Sequence, residues 1–360
     1  MSEALKAERR EKLLAHFTEQ AGFCTAFGSP FTGDLIARMR DDIEAGGPTA
    51  ALVRDWPTNP RADALSLRLA GALHYAALAK LDADLAAVYP NGEARADAAS
   101  AWPTARAFFA NNRPWTEEFI QSPPQTNETR RSIGLLAGFL TIASELEGPL
   151  DTLELGASAG LNLNWDRFAY RTADWIWNES GSVPIDTDWQ GAPPPLDAQP
   201  RVRSRAACDQ NPLDVSKVEE RLRLRSYIWP DQAERLARFD GAANLAIAAG
   251  VNVERADAAE WLAAKLATRA QDGATIVYHS VFYQYPPRET REAIKHIIED
   301  AGAAATKGAP LYWLRLEPEA ALGGPRDSMR MFIDLVSWPG GERRVIAETD
   351  GHVRWVRSEL

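Results

Sequence analysis

The sequence predicts an α/β protein in which an all-helical N-terminal domain, residues 1–148, precedes a domain, residues 149–360, built on a seven-stranded mixed sheet. Three observations carry this. Apolar residues spaced by three and four dominate the first 148 positions, the mark of helices with one buried face. After Gly148-Pro149 short apolar, β-branched or aromatic runs alternate with helical stretches, as in a parallel sheet flanked by helices. At 360 residues the chain is longer than one hydrophobic core usually supports.

Helical spacing runs through Ala4 to Gln20, Asp34 to Glu44, Ala64 to Val88 and Glu128 to Leu146, with turns marked by Gly46-Gly47-Pro48 and Pro123-Pro124. The expected strands are Asp151 to Leu155, Arg201 to Ala207, Val251 to Ala256, Thr275 to Phe282, Leu311 to Leu316, Met331 to Trp338 and Arg344 to Thr349. Between them the pattern predicts helices over Ala159–Phe168, Asp231–Ala249, Ala258–Ala270 and Arg288–Gly302. The last three strands have little between them, so the parallel body is expected to end in an antiparallel hairpin. Residues 170–200 hold Trp175, Trp177 and Trp189 with Pro193-Pro194-Pro195 and interrupt the alternation. They read equally as an inserted hairpin whose indoles pack on themselves and as a lid over a ligand.

Composition narrows the function. A net charge of −10 lacks the basic footprint of a nucleic-acid binder, and a small molecule is the expected partner. Cys24 and Cys208 stand far apart, and no His, Cys or carboxylate cluster has metal-ligand spacing, so no metal is expected. The longest apolar run, Gly134 to Ser144, is too short to span a bilayer, and the charged start is unlike a signal peptide; the expected location is the cytoplasm. The sequence leaves the oligomeric state open.

The most informative stretch is Leu153-Glu154-Leu155-Gly156-Ala157-Ser158-Ala159-Gly160-Leu161-Asn162, a strand entering a small-residue turn. Such a turn, opening a helix, lets backbone N–H groups approach a ligand. A dinucleotide fingerprint fits poorly, with Ser158 and Leu161 at its second and third glycine positions. Gly156 to Gly160 matches a Gly-x-Ser-x-Gly nucleophile elbow, with His279 and His352 downstream as bases, but a hydrolase has strands ahead of its elbow where this chain reads as helical. The third reading is a resemblance. Glu154-x-Gly156-x-x-x-Gly160 is similar to the first cofactor loop of the class I S-adenosylmethionine-dependent methyltransferases, with Ser158 where that family often has a further glycine. The resemblance implies a Rossmann-like sheet, S-adenosylmethionine as cofactor, and Glu154, Gly156, Ala157, Ser158, Gly160 and Asn162 around it. It also implies a carboxylate at the end of the second strand for the ribose hydroxyls, Asp209, and one after the third for the adenine amino group, Asp257.

The phrases Gln125-Thr126-Asn127-Glu128, Glu154 to Asn162, Asn211-Pro212-Leu213-Asp214 and Trp229-Pro230-Asp231 further resemble a bacterial family, domain of unknown function 2332. That resemblance covers most of the chain and implies no activity.

Several candidates carry a second reading. Asn127 and Glu128 line the cleft or cap the helix that follows. Asp209 serves the ribose or an Asx turn, and Asp257 serves the adenine or an N-cap. In Thr275 to Pro287 the fourth strand ends in polar and aromatic residues: His279 is the candidate general base, Tyr285 a second catalytic candidate, and Ser280 and Tyr283 walls of the acceptor pocket. A lone His at a strand end is more often a hydrogen-bonded structural residue, which is the second reading of His279, and Glu317 after the fifth strand is a further addition. The expected function is methyl transfer to a small molecule. A serine hydrolase using Ser158 and a non-catalytic nucleoside-binding protein of the same shape are the alternatives.

Overall fold

The computed structural model describes residues 3–90, 97–325 and 327–360. They fall into two units, one of residues 1–126 with 217–239, the other of residues 127–216 with 240–360. The division thus comes at 126 and not at 148, because the helix ahead of the first strand packs on the sheet, and a later segment returns to the helical unit.

The helical unit contains α1 (Glu3–Ala26), α2 (Pro30–Glu44), α3 (Pro48–Val53), α4 (Leu65–Leu78), α5 (Ala83–Val88), α6 (Ala98–Asn111), α7 (Arg113–Phe119) and α9 (Val218–Ser226). Ser29 caps α2 by accepting from the Thr32 N–H, and Pro30 fits the first turn, where its missing N–H costs nothing. The single helix expected from Ala64 to Val88 is broken between Lys80, at φ +53°, and Asp82, which caps α5. Ile36, Met39, Leu69, Leu73, Phe108 and Phe109 form the buried core with Tyr227 from the returning segment.

The second unit opens with α8 (Arg131–Ser144) and β1 (Leu150–Leu155). The chain then forms β2 (Ala169–Arg171), β3 (Ile176–Trp177), β4 (Pro184–Asp186), β5 (Asp188–Gln190) and β6 (Val202–Asp209). After α10 (Ala233–Ala248), which crosses the division at 239, come β7 (Glu254–Arg255), α11 (Ala258–Ala267), β8 (Ala274–Ser280), α12 (Arg288–Ala303) and β9 (Leu311–Pro318). The chain closes with β10 (Met331–Trp338), β11 (Glu342–Thr349) and β12 (Trp355–Ser358).

The main sheet runs β5-β12-β11-β10-β9-β8-β1-β6-β7. All seven expected strands are in it, and the count becomes nine because β12 pairs antiparallel with β11 and β5, from the Trp-rich insertion, pairs parallel with β12. The strands β7, β6, β1, β8 and β9 are mutually parallel. Numbered in chain order they read 3-2-1-4-5 across the sheet, so the order reverses between β1 and β8. Side chains alternate between faces. Leu153, Leu155, Val277 and Trp313 pack with Leu262 of α11 and Ile294 and Ile298 of α12. The other face receives α8 so closely that a Cβ on Gly138 would lie 2.3 Å from a Leu314 methyl.

Between β1 and β6 one expectation fails and an open one is decided. The helix predicted over Ala159–Phe168 is a short 3₁₀ helix, Leu161–Arg167, kinked at Asn164. The insertion is a three-stranded sheet, β3-β2-β4, whose indoles pack internally. Trp165 stacks on Phe139 of α8 with ring centroids 3.9 Å apart, and Trp175 meets Trp189 edge to face at 5.1 Å. Trp175 and Trp189 of the insertion are buried and Trp177 is half-buried, 6.5 Å from the Trp165 ring, so of the two readings the indoles support packing over a lid.

Candidate ligand-binding site at the strand ends

In an open α/β sheet the crevice for a ligand lies outside the carboxyl ends of the strands where the order reverses. Here those ends are Leu155 of β1 and Ser280 of β8, with Asp209 of β6 and Glu317 of β9 on either side.

The turn after β1 is held by its neighbours through nearly every backbone donor. Ala157 N–H donates to the Cys208 carbonyl (3.1 Å), Ser158 N–H to Asp209 Oδ2 (2.9 Å) and Gly160 N–H to the Ala157 carbonyl (2.8 Å). Ala159 and Leu161 N–H both reach Asn127 Oδ1, at 3.3 and 3.1 Å. Five successive N–H groups are therefore spent inside the protein, and the turn opens no α-helix. The expectation that it offers amides to a ligand is corrected on both counts, and a phosphate cradle of the dinucleotide kind goes with it. Gly156, at φ +66°, is required twice over: by that backbone conformation and because a Cβ would lie 2.2 Å from the Phe282 ring. A Cβ on Gly160, at φ +70°, would likewise meet Val251 at 2.7 Å, so both glycines serve close packing between chain segments.

Asn127 and Glu128 scaffold this turn. Asn127, at φ +41°, does not cap α8, whose N-cap position is Arg130; its side chain ties the turn instead. Buried Glu128 accepts from the Arg130 N–H (3.1 Å), and its carbonyl accepts from Asn162 Nδ2 (3.4 Å).

Asp209 performs the Asx turn, accepting from Asn211 N–H at 2.8 Å, and fastens Ser158 with its other oxygen. Asp257 caps α11 through Oδ1, which takes the Ala259 and Glu260 N–H groups. The two carboxylates stand at neighbouring strand ends, where Ala256 N–H donates to the Asp209 carbonyl (3.1 Å). Both remain partly exposed.

Glu154 departs from expectation. It is only 3% exposed on the α8 face of the sheet, beside its register neighbour Tyr278, whose hydroxyl donates to Oε2 at 3.0 Å. Burial pushes its carboxyl up to about 8, so near neutral pH it is an uncharged acid. A buried acid turned to Tyr278 is not an anion facing a ligand, so the place beside the cofactor that the resemblance implies for Glu154 is withdrawn. Its phenol partner is pushed well above the ordinary tyrosine range by the same burial.

His279 is also corrected. It is fully buried, and the Trp313 indole N–H donates to its Nε2 at 3.0 Å. An indole nitrogen only donates, so Nε2 accepts and the proton sits on Nδ1, which lies 2.7 Å from Glu317 Oε1. No lone pair is left to take a proton from a substrate, and His279 links Glu317 to Trp313 within the sheet. Tyr285 is 73% exposed with its hydroxyl in solvent, which does not place it as a catalytic group. Tyr283 stacks on His279 and donates its hydroxyl to the Arg291 carbonyl (2.5 Å), while the Ser280 carbonyl accepts from Arg131 (3.4 Å).

Ser158, at φ +56°, has a buried hydroxyl with no hydrogen-bond partner. A nucleophilic serine needs a base within hydrogen-bond reach, and neither His279 nor His352, in the turn between β11 and β12, provides it. Sequence reasoning missed Tyr278 and Trp313, whose only signal was their place in an apolar strand; nothing local announces that a phenol or indole there will face a carboxyl or an imidazole. Among the described residues no three His, Cys, Asp or Glu side chains form a group able to hold a metal, and no helix is long and apolar enough to cross a membrane.

No curated protein and no solved structure matches the chain. Residues 15–358, nearly its whole length, match one family model, that of an uncharacterized protein conserved in bacteria, and the chain belongs to this family, DUF2332.

Proposed function

We propose that the second unit binds the nucleoside portion of S-adenosylmethionine at the carboxyl ends of β1, β6 and β7 and transfers its methyl group to a small molecule. The observation that carries this reading is the pairing of spent backbone amides with available carboxylates. A phosphate needs N–H donors, and the turn after β1 has given its own to the protein. A nucleoside without phosphates presents hydroxyls and an amino group, which carboxylates accept. Asp209 and Asp257 supply these at adjacent strand ends, and the buried Ser158 hydroxyl, without a protein partner, fits a third polar contact. Asp209 would hold the ribose hydroxyls and Asp257 the adenine amino group. The glycine turn would shape the floor through its contact with Phe282, and Glu154 would support it from beneath as a neutral acid.

Bound there, the cofactor supplies an electrophilic methyl group. The protein's part is then to position an acceptor in line with it, and such positioning supplies much of a rate enhancement without a strong acid/base pair. Isothermal calorimetry with S-adenosylmethionine and S-adenosylhomocysteine tests the reading: wild type binds both, and Asp209→Ala and Asp257→Ala each weaken binding tenfold or more. Lack of binding to wild type sinks it.

A further inference from the structure

Glu317 is a fully buried strand-end carboxylate whose two oxygens are treated unequally. Oε1 receives three N–H groups, from His279 Nδ1 (2.7 Å), Phe282 (2.8 Å) and Tyr283 (3.1 Å). Oε2 is buried and has no hydrogen-bond partner. Three donors on one oxygen fit an ionised carboxylate, and among the described residues no Lys or Arg side chain is paired with it. His279 is in its neutral Nδ1–H form, fixed by the Trp313 indole. Arg315, on the same face of β9, is engaged two-pronged with Asp334 at 2.8 and 2.7 Å. A fully buried carboxylate without a positive partner is costly in an apolar surround, which separates this group from an ordinary structural ion pair.

The rings of Phe282, Tyr283 and Trp313 lie around His279, with centroids 5.5, 5.3 and 6.0 Å from that of the imidazole. The loop that brings Phe282 and Tyr283 there is strained: Val281 adopts φ +52°, an outlier for a β-branched side chain, and the Glu317 hydrogen bonds to the next two residues hold it so. Of the three rings Phe282 alone is half-exposed, and it also packs on Gly156 at the switch point, so a ligand reaching Glu317 from the crevice would have to displace this ring.

We infer that Glu317 Oε2 is the receptor atom for a positively charged amine, and that the small molecule taken up at these strand ends is a cationic amine. This rests on reading the strand ends as a small-molecule site and is independent of S-adenosylmethionine. No covalent step is involved; the ammonium donates a hydrogen bond to Oε2 and supplies the missing counter-charge.

Saturation-transfer NMR on the full chain, with benzylammonium and n-butylammonium as probes and benzyl alcohol and benzoate as controls, tests it. Wild type is expected to bind the two ammonium ions at least tenfold more tightly than the alcohol, and benzoate not at all. Glu317→Gln keeps an oxygen for the three N–H donors and should lose the ammonium preference. Phe282→Ala leaves the carboxylate and its backbone hydrogen bonds in place and should bind the ammonium ions at least as tightly as wild type. Equal binding of ammonium and alcohol by wild type overturns the inference, and so does a folded Glu317→Gln that retains the preference. Should Glu317→Gln not fold, weaker ammonium binding by Phe282→Ala than by wild type overturns it instead. Calorimetry with S-adenosylmethionine is read separately: its failure removes the cofactor and leaves the ammonium result standing.

Discussion

Glu154 makes a quantitative demand on the pH dependence of stability. Its carboxyl, ordinarily at 4.5, is pushed up to about 8 by burial, so between these values the folded chain keeps a proton that the unfolded chain has lost. The unfolded state then binds fewer protons, and stability falls as pH rises, by about 1.4 kcal/mol per pH unit for one group and about 5 kcal/mol over the whole window. The histidines complicate the acid end, so the useful range is pH 6.5 to 8, where the same slope gives a loss of about 2 kcal/mol. Glu154→Gln retains the shape and a polar contact for the Tyr278 hydroxyl without the titration, and should flatten that slope and outlast wild type at pH 8.5. Hydrogen-exchange protection of peptides covering β1 and β8, corrected for the intrinsic pH dependence of exchange, reads the effect where it arises. A wild type whose protection is constant from pH 6.5 to 8, or a variant with the same slope, refutes the reasoning.

The helical unit should respond in the opposite direction. Burial pushes His74 down to about 4, so the stabilisation of its neutral form is fully present above 6.5 and is lost as pH falls toward 4, up to about 3 kcal/mol; His74→Gln should reduce the acid sensitivity of urea unfolding. Gly156→Ala adds a Cβ both at positive φ and against the Phe282 ring, and should lower stability by about 1–3 kcal/mol, with part regained in Gly156→Ala/Phe282→Ala, measured by urea denaturation. Fluorophosphonate probes should leave Ser158 unlabelled; stoichiometric labelling abolished by Ser158→Ala would restore the hydrolase reading.

Much of the architecture was legible because it is written in periodicity. The strands from Asp151 to Thr349 announce themselves as short apolar runs, and the change of texture after Gly148-Pro149 marks where the sheet begins. β5 and β12 were invisible because each is short, and β5 joins the sheet only through β12. The 3₁₀ segment Leu161–Arg167 carries apolar spacing adequate for a helix, but Asn162 and Asn164 sit on it, and Asn162 bonds back to the Glu128 carbonyl. At the site, the sequence located the residues and missed their partners. Asp209, Asn127 and the glycine turn were each singled out, and the structure joins them by hydrogen bonds across 32 to 51 residues of chain. His279 was chosen for its ordinary titration range, which local sequence supports; the indole and carboxylate that occupy both its nitrogens come from β9.

The helical unit is discontinuous in sequence, and this bears on how the protein is made. Its core is closed by residues 217–239: the Ser226 carbonyl accepts from His74 Nδ1 (3.1 Å), and Asp231 binds both Ser29 and the Phe31 N–H (3.0 Å). A ribosome delivers residues 1–126 first and then spends about 5–20 s on residues 127–216 before the closing segment emerges. Through that interval the seven leading helices are an incomplete core, with Phe119 and His74 lacking their later partners. Cells producing this chain therefore meet an early intermediate with exposed apolar surface. A fragment ending at 126 should behave as that intermediate, collapsed and prone to aggregate, until residues 217–239 are supplied in trans.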